Sequence, residues 1–552
     1  MRTNAHLAQL LSSNDTPSSR EAEEVKLEVT LLAEKVLQLR SQLEELEEDL
    51  RRYKAILSPI RKVPLEVLGA IFEMALPERT KQDYSSRVLK LCLVCKNWRD
   101  AAHLTRRLWS ELHLSDDHIH YRKIVNWFNR AGSLPKTLEV NAKCGVRYLS
   151  KPERCHLPGH DVSRLLTSGP SLHHLSLTCT SPRCFLKMVD ALETFAPAPS
   201  PYAEPRPFDA IQSLTLTFTG AWVEPTNPSE SAFHRIPTSV TSLQLCLPNH
   251  DEAFGYSNPE SAPLHLPPHL LMNLTAFSIG CDWEGGLQLA TALGHCINVE
   301  TLTIDFRDSI TWWYDADEPS IERFRADGLL LPKVRTLSLE RATPASIAIL
   351  ELLKTPALET LNVHVSMFYE EMEVAEEYSL AADLHAFIKD RSQCEATFRS
   401  LRLECLEIQG EELKSLLQGL PTITHLVLDY VNVKPSSFND VLAQLAVKRD
   451  RKFLPNLESL KIFGLPPQWA GDDTSLICFL DERRSHDFMN IRDGCIFQDP
   501  PDSLKELVLT FRRTSRLRDH ALHNNPSVKL FRKHCGVLFN IGPLLYWGDP
   551  NA

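Results

Sequence analysis

From Leu172 onward the chain keeps returning to one short pattern, apolar-x-x-apolar-x-apolar, and a recurring unit limits the possible folds more than any single motif does. Eleven stretches fit: Leu172/Leu175/Leu177, Ile211/Leu214/Leu216, Val240/Leu243/Leu245, Leu274/Phe277/Ile279, Val299/Leu302/Ile304, Val334/Leu337/Leu339, Leu358/Leu361/Val363, Leu403/Leu406/Ile408, Ile423/Leu426/Leu428, Leu457/Leu460/Ile462 and Leu504/Leu507/Leu509. Thr137-Leu138-Glu139-Val140 reads as an incomplete first member. The last two apolar positions alternate with polar ones, so on a strand they face a core while their neighbours face outward. Helical stretches such as SIAILELLKT (346–355) and GEELKSLLQGL (410–420) fall between the strands. One strand and one helix per unit, each unit burying its face on the next, predicts an α/β solenoid with a parallel sheet over 135–545. Its irregular spacing places insertions at 196–208 (Pro-rich), 247–269, 306–331, 365–400 and 464–502. A chain of 552 residues is too long for one compact core, and a repeat array accommodates that length.

The N-terminal region is built differently. Residues 1–20 are polar and Ser-rich and are expected to be disordered. Ser18-x-x-Glu21 then offers a capping box. Over 21–57 the apolar residues Val25, Val29, Leu32, Val36, Leu39, Leu43, Leu46, Leu50, Tyr53 and Leu57 recur in steps of 4 and 3. That heptad spacing predicts a coiled-coil-like helix. Glu47–Arg51 and Glu48–Arg52 are favourable i,i+4 pairs along it. The seam fits either a parallel homodimer through 25–57 or packing back on its own chain, since heptads alone do not choose a partner.

Residues 58–112 follow as a small helical unit, and 113–134 as a linker with a helix around Ile124, Trp127 and Phe128. Pro59 ends the long helix. Pro64 sits where a new helix can begin. Val67, Leu68, Ile71, Phe72 and Ala75 then form one apolar face, and Leu91, Val94, Cys95, Trp98 and Ala102 a second, with Leu108 and Trp109 closing the unit. About fifty residues cannot enclose so many large apolar side chains, so a partner is expected to cover the remainder.

The order Val63-Pro64-x-Glu66-Val67-Leu68, Ile71-Phe72, Leu76, Val94-Cys95-Lys96-x-Trp98-Arg99 and Leu108-Trp109 resembles an F-box. Val63 stands where a leucine is usual, and Gly69 inside the first helix costs roughly 1 kcal/mol relative to alanine. The repeats resemble divergent leucine-rich repeats. The whole arrangement, helix first, is similar to F-box proteins of mushroom-forming fungi. This resemblance implies a non-catalytic substrate receptor of a Skp–cullin–F-box ubiquitin ligase. It would bind a Skp-family adaptor, and through it a cullin, by Val63, Pro64, Val67, Leu68, Ile71, Phe72, Val94, Cys95, Trp98, Leu108 and Trp109. A scaffolding protein that assembles through helix and solenoid without any ligase is the alternative.

Nothing in the sequence has the spacing of an enzyme. P-loop, dinucleotide fingerprint, G-x-S-x-G and H-E-x-x-H are absent, so neither catalytic residue nor cofactor is expected. Cys92-x-x-Cys95 lies on a predicted helix without a second pair at zinc spacing, which points to packing. Cys144, Cys155, His156 and His160 match no standard zinc finger, so no metal site is expected. The formal net charge of −11 argues against a nucleic-acid surface. No apolar run reaches membrane-spanning length, and the first residues lack a signal-peptide core, so a cytoplasmic or nuclear protein is expected. Arg512, Arg513, Arg516 and Arg518 could bind an anion or form a solvated face, and Trp312-Trp313-Tyr314 could be a contact patch or lie buried.

The outward positions of the repeats offer a site for a protein target. Asp305, Glu340, His364, Glu407 and Asp429 flank the inward pairs, and adjacent strands bring such residues within about 4.8 Å. Among the outward positions of those five units no Lys or Arg appears, so a basic segment is the expected ligand.

Overall fold

The computed structural model describes residues 12, 16–76, 83–115, 120–142, 157, 159–195, 205–220, 222, 227–250, 253, 264–283, 287–307, 319–366, 379–434, 454–465, 504–511 and 538–543. The chain divides into two compact units, Met1–Leu108 and Trp109–Ala552.

The first unit opens with α1 (Ser19–Ile56), a helix of 38 residues. The expected capping box is present: the Ser18 hydroxyl accepts from the Glu21 N–H, and the Ser18 N–H donates to Glu21 Oε2 at 2.7 Å. Arg52 pairs with Glu48 at 3.4 Å as expected, while Arg51 also turns to Glu48 at 3.5 Å. No residue of α1 is buried. The seam residues from Val29 to Tyr53 are 47–68% exposed.

Three short helices follow, α2 (Leu65–Ala75), α3 (Tyr84–Val94) and α4 (Lys96–Leu104). They enclose Leu68, Phe72, Tyr84, Val88, Cys92, Ala101, Ala102 and Leu108. Phe72 and Trp98 meet with ring centroids 5.0 Å apart. Gly69 has a packing reason. A Cβ there would stand 2.1 Å from Thr105 Oγ1, so only glycine lets that threonine close on α2.

The second unit is α/β and solenoid-like. Fourteen strands among the described residues form one sheet whose spatial order is the order of the chain. They are β1 (Glu111–Ser115), β2 (Thr137–Asn141), β3 (His174–Cys179), β4 (Ser213–Phe218), β5 (Ser242–Cys246), β6 (Ala276–Gly280) and β7 (Thr301–Asp305). The ladder continues with β9 (Thr336–Ala342), β11 (Thr360–Val365), β12 (Ser400–Glu404), β14 (His425–Asp429), β16 (Ser459–Leu465), β17 (Glu506–Phe511) and β18 (Leu538–Pro543). Every pairing is parallel. Two short parallel pairs lie outside the ladder: β8 (Leu329–Leu330) with β10 (Leu353–Lys354), and β13 (Glu407–Gln409) with β15 (Asn432–Lys434).

Ten of the eleven repeat matches lie on ladder strands, and their inward pairs align in register across the sheet, as Phe277, Leu302, Leu337 and Leu361 do. Inward residues such as Leu175, Leu214, Leu302, Leu361 and Leu426 are completely buried, because helices and turns cover that face. The expected helix over 346–355 is shorter than its sequence suggested. Its last turn gives way to β10, after a helix at Pro344–Ile347 and a single 3₁₀ turn at Ala348–Glu351.

Two corrections concern the ends and the middle of the ladder. The sheet begins at Glu111 rather than near 135, since Trp109/Leu112/Leu114 is itself a repeat match, with Leu112 opposite Leu138. In the middle, FRSLRLECLEI holds two overlapping matches. The ladder takes Phe398/Leu401/Leu403 and sends Leu406 and Ile408 to the side pair.

At its first edge the sheet is covered by its own chain. Helix α5 (Tyr121–Ala131) buries Ile124, Trp127 and Phe128. Trp127 Nε1 donates to the Glu111 carbonyl at 3.0 Å. Trp127 also meets the Trp109 ring edge-on at 4.6 Å, and Arg130 lies 4.5 Å above Trp109. No helix of the described residues is long and apolar enough to cross a membrane.

Candidate functional site

Parallel strands in register bring the same repeat position together, and here that builds a polar row. The residue after each inward pair lies opposite its counterpart on the next strand: Asp305 opposite Glu340, His364 opposite Glu404, Glu404 opposite Asp429. Glu340 joins the row through His364, whose Nδ1 lies 3.2 Å from Glu340 Oε2. Four of the five expected target-binding residues therefore stand side by side. Glu407 does not. It is exposed on β13, because the repeat that was read through it is the displaced one, and Glu404 occupies its place in the row.

The row is internally neutralised rather than openly acidic. Arg341 clamps Asp305 with both ends of its guanidinium, Nε lying 2.8 Å from Oδ1. The Arg307 N–H donates to the same Oδ1 at 3.1 Å. Arg402 lies 2.9 Å from Glu404 and 2.7 Å from Asp429. The expectation of a stripe without basic residues fails because Arg341 lies one position beyond the outward pair and Arg402 belongs to the corrected register. Desolvation raises the Asp429 carboxyl, and the neighbouring Glu404 raises it further against the pull of Arg402.

The centre of the row is His364, Glu404 and Cys405. One ligand-type atom from each lies within 4.8 Å of the others, and all three are half-buried. Hydrogen bonding with Cys405, and then with Glu340, pushes the His364 imidazole up to about 10, against the desolvation of the ring. Cys405 has a positive φ of 57°, and its N–H donates to the Asp429 carbonyl at 2.8 Å. Arg341, Tyr430 and Gly464 also take positive φ immediately beyond an outward residue, so a left-handed turn there recurs along this part of the sheet. Sequence reasoning missed Arg341, Arg402, Glu404 and Cys405. The overlapping match at Phe398/Leu401/Leu403 was the signal that could have found the last three.

The helical unit offers a different surface. Of the residues expected to face an adaptor, Leu68, Phe72 and Leu108 are buried and hold that unit together. Trp109 is also buried, and its ring meets Trp127 and Arg130 at the start of the sheet unit. Val63 and Trp98 are half-buried, while Pro64, Val67, Ile71, Val94 and Cys95 are exposed. Met74, Leu89 and Leu93 are exposed too, Met74 to 82% and Leu93 to 78%. Val67, Ile71 and Met74 share one face of α2 by helical spacing.

Cys92 is buried and Cys95 exposed, so the C-x-x-C pair forms no joint site. His160 meets Phe195 edge-on with ring centroids 5.2 Å apart, while Cys144, Cys155 and His156 lie outside the described residues. So do Trp312-Trp313-Tyr314 and the Arg512–Arg518 cluster.

No protein-family model matches the chain, and no curated protein matches its sequence.

Proposed function

We propose that the chain is the substrate-recognition subunit of a Skp–cullin–F-box ubiquitin ligase. In this reading the helical unit is an F-box that docks a Skp-family adaptor, and the sheet unit is a divergent leucine-rich-repeat domain that holds a protein target. Transfer of ubiquitin belongs to other subunits. The observation that carries the reading is the apolar surface left exposed on each of two helices, Val67, Ile71 and Met74 on α2 and Leu89, Leu93 and Val94 on α3. Single exposed apolar side chains are ordinary, but three on one helix and three on another in so small a unit support a protein-binding surface. Burying what remains of them would contribute on the order of 1 kcal/mol per side chain. Three of the six also belong to the F-box-like sequence pattern.

The exposed heptad seam of α1 supports self-association through residues 25–57 alongside adaptor docking. The target remains of unassigned chemistry, since the paired carboxylates of the row no longer favour a basic segment.

The test is binding of a recombinant Skp-family adaptor to the full chain. Val67→Asp with Ile71→Asp should weaken capture at least tenfold without unfolding the unit, because both side chains are already exposed. Undiminished capture would remove the F-box assignment. Capture of adaptor without co-purifying cullin would favour the scaffold reading.

A further inference from the structure

We propose that His364, Glu404 and Cys405 form a binding site for a divalent transition-metal ion, with zinc the best match to the donor set. One imidazole nitrogen, one thiolate sulfur and one carboxylate oxygen are the three donor types that zinc takes in proteins. Softer metals favour all-sulfur sets and magnesium or calcium all-oxygen ones, so the mixture itself is selective. The three donor atoms already lie within 4.8 Å of one another, and a modest side-chain adjustment closes them on one ion. Thiolate and carboxylate together carry two negative charges, which balance a divalent cation once the ion has displaced the proton of the imidazole.

The backbone explains how neighbouring residues can share one ion. Along a regular strand Glu404 and Cys405 would point to opposite faces of the sheet. The left-handed conformation of Cys405 breaks that alternation and turns its sulfur to the side on which Glu404 and His364 stand. Hydrogen bonding of its N–H to the Asp429 carbonyl fixes the turn on the next strand. Pairing of His364 with Glu404 across β11 and β12 supplies the third ligand from a rigid element.

The surroundings also suit a metal. Glu340 touches His364 Nδ1 at 3.2 Å, as the outer carboxylates of metal-bound histidines do. Arg402 holds Glu404 in place at 2.9 Å through one carboxylate oxygen, Oε2. Three protein ligands leave a fourth position for water or for a group of a bound protein.

The experiment is titration of the metal-stripped full chain with Co²⁺ under anaerobic conditions, followed by Zn²⁺. The expected result is a thiolate-to-cobalt charge-transfer band and the visible bands of a tetrahedral ion, both abolished by Zn²⁺. Other cysteines can add background, so the reading is the difference between wild type and Cys405→Ser. That variant should lose one equivalent of the charge-transfer band, and Glu404→Gln should weaken cobalt at least tenfold. Thermal unfolding of the metal-free variants, expected to match the wild type, separates loss of a ligand from loss of fold. An unchanged spectrum in Cys405→Ser would overturn the site. So would rapid alkylation of Cys405 by iodoacetamide that excess Zn²⁺ does not slow, which would instead mark a free thiolate beside an imidazolium.

Discussion

Leucine, isoleucine and valine do opposite work in the two units. On the described ladder strands they alternate and are buried, and what faces outward around Asp305–Asp429 is polar and largely paired. In residues 1–108 the same residue types lie on helices, and most of those on α1, with several on α2 and α3, remain exposed. A parallel sheet built unit on unit can supply its own neighbours, since each strand buries the one before it. A single 38-residue helix and three short ones do not repeat, so none of them supplies the next with a matching surface. The difference teaches that apolar content by itself says nothing about self-sufficiency; what counts is whether the chain provides the surface to be buried against.

The strongest way to break the comparison is to place a charge inside each unit. Leu361→Asp puts an unpaired carboxylate at a fully buried inward position and should destabilise the sheet unit by about 4 kcal/mol or more. Denaturant unfolding followed by fluorescence checks this, and a loss of less than about 1 kcal/mol would mean that the ladder opens there easily. The change Val67→Asp with Ile71→Asp, on the exposed face, should shift stability by no more than about 0.5 kcal/mol in the same assay.

A smaller effect sharpens the contrast within the helical unit. Leu68→Ala removes a completely buried side chain and should cost about 3 kcal/mol, read as early protease cleavage within 58–108 while the sheet resists. Gly69→Ala crowds Thr105 and should cost about 1–3 kcal/mol despite alanine's better helix propensity. Adding Thr105→Ala should recover part of that loss. If Gly69→Ala instead stabilises the unit, the close approach of Thr105 is not what holds glycine at this position.

Changes on the long helix should leave stability alone and alter assembly. Leu39→Lys with Leu46→Lys is expected to convert a sedimenting dimer into a monomer with unchanged helix content. A monomeric wild type at micromolar concentration would mean that the seam serves another partner.

The smallest effect belongs to the polar row. Arg341→Met leaves Asp305 without its clamp, but the pair is partly exposed, with Asp305 27% and Arg341 41% accessible. Such pairs contribute about 1 kcal/mol or less, so the unfolding midpoint should move slightly and less at high salt.

How much of this could be read from the sequence follows from where the information is local. The repeats were legible because period-two alternation survives on every strand, and Ser18 with Glu21 announced the start of α1 without outside help. The slip at 403/406/408 arose because Phe398-Arg-Ser-Leu401-Arg-Leu403 and Leu403-Glu-Cys-Leu406-Glu-Ile408 satisfy the same pattern, and only pairing with β11 and β14 chooses between them. Strand β18 was missed because Gly536 occupies the first apolar position. Trp109 closes the F-box-like sequence pattern and opens the repeat pattern at once, so the sequence by itself does not mark where the sheet begins. The site around His364 was half legible: its histidine came from counting along repeats. Its cysteine depends on a left-handed turn that residue type alone does not announce.

The indole of Trp127 has a consequence for how these molecules meet one another. In a parallel ladder alternate carbonyls point to opposite neighbours, and the Ser110 carbonyl accepts from Thr137 on β2. The Glu111 carbonyl therefore faces away from β2, toward the side on which a further strand would pair, and the Trp127 indole donates to it. An acceptor satisfied in this way is withdrawn from pairing with an added strand. Trp127→Phe, which keeps the ring but gives up the donor, should free that acceptor, and light scattering on storage would show strings of molecules where the wild type stays dispersed.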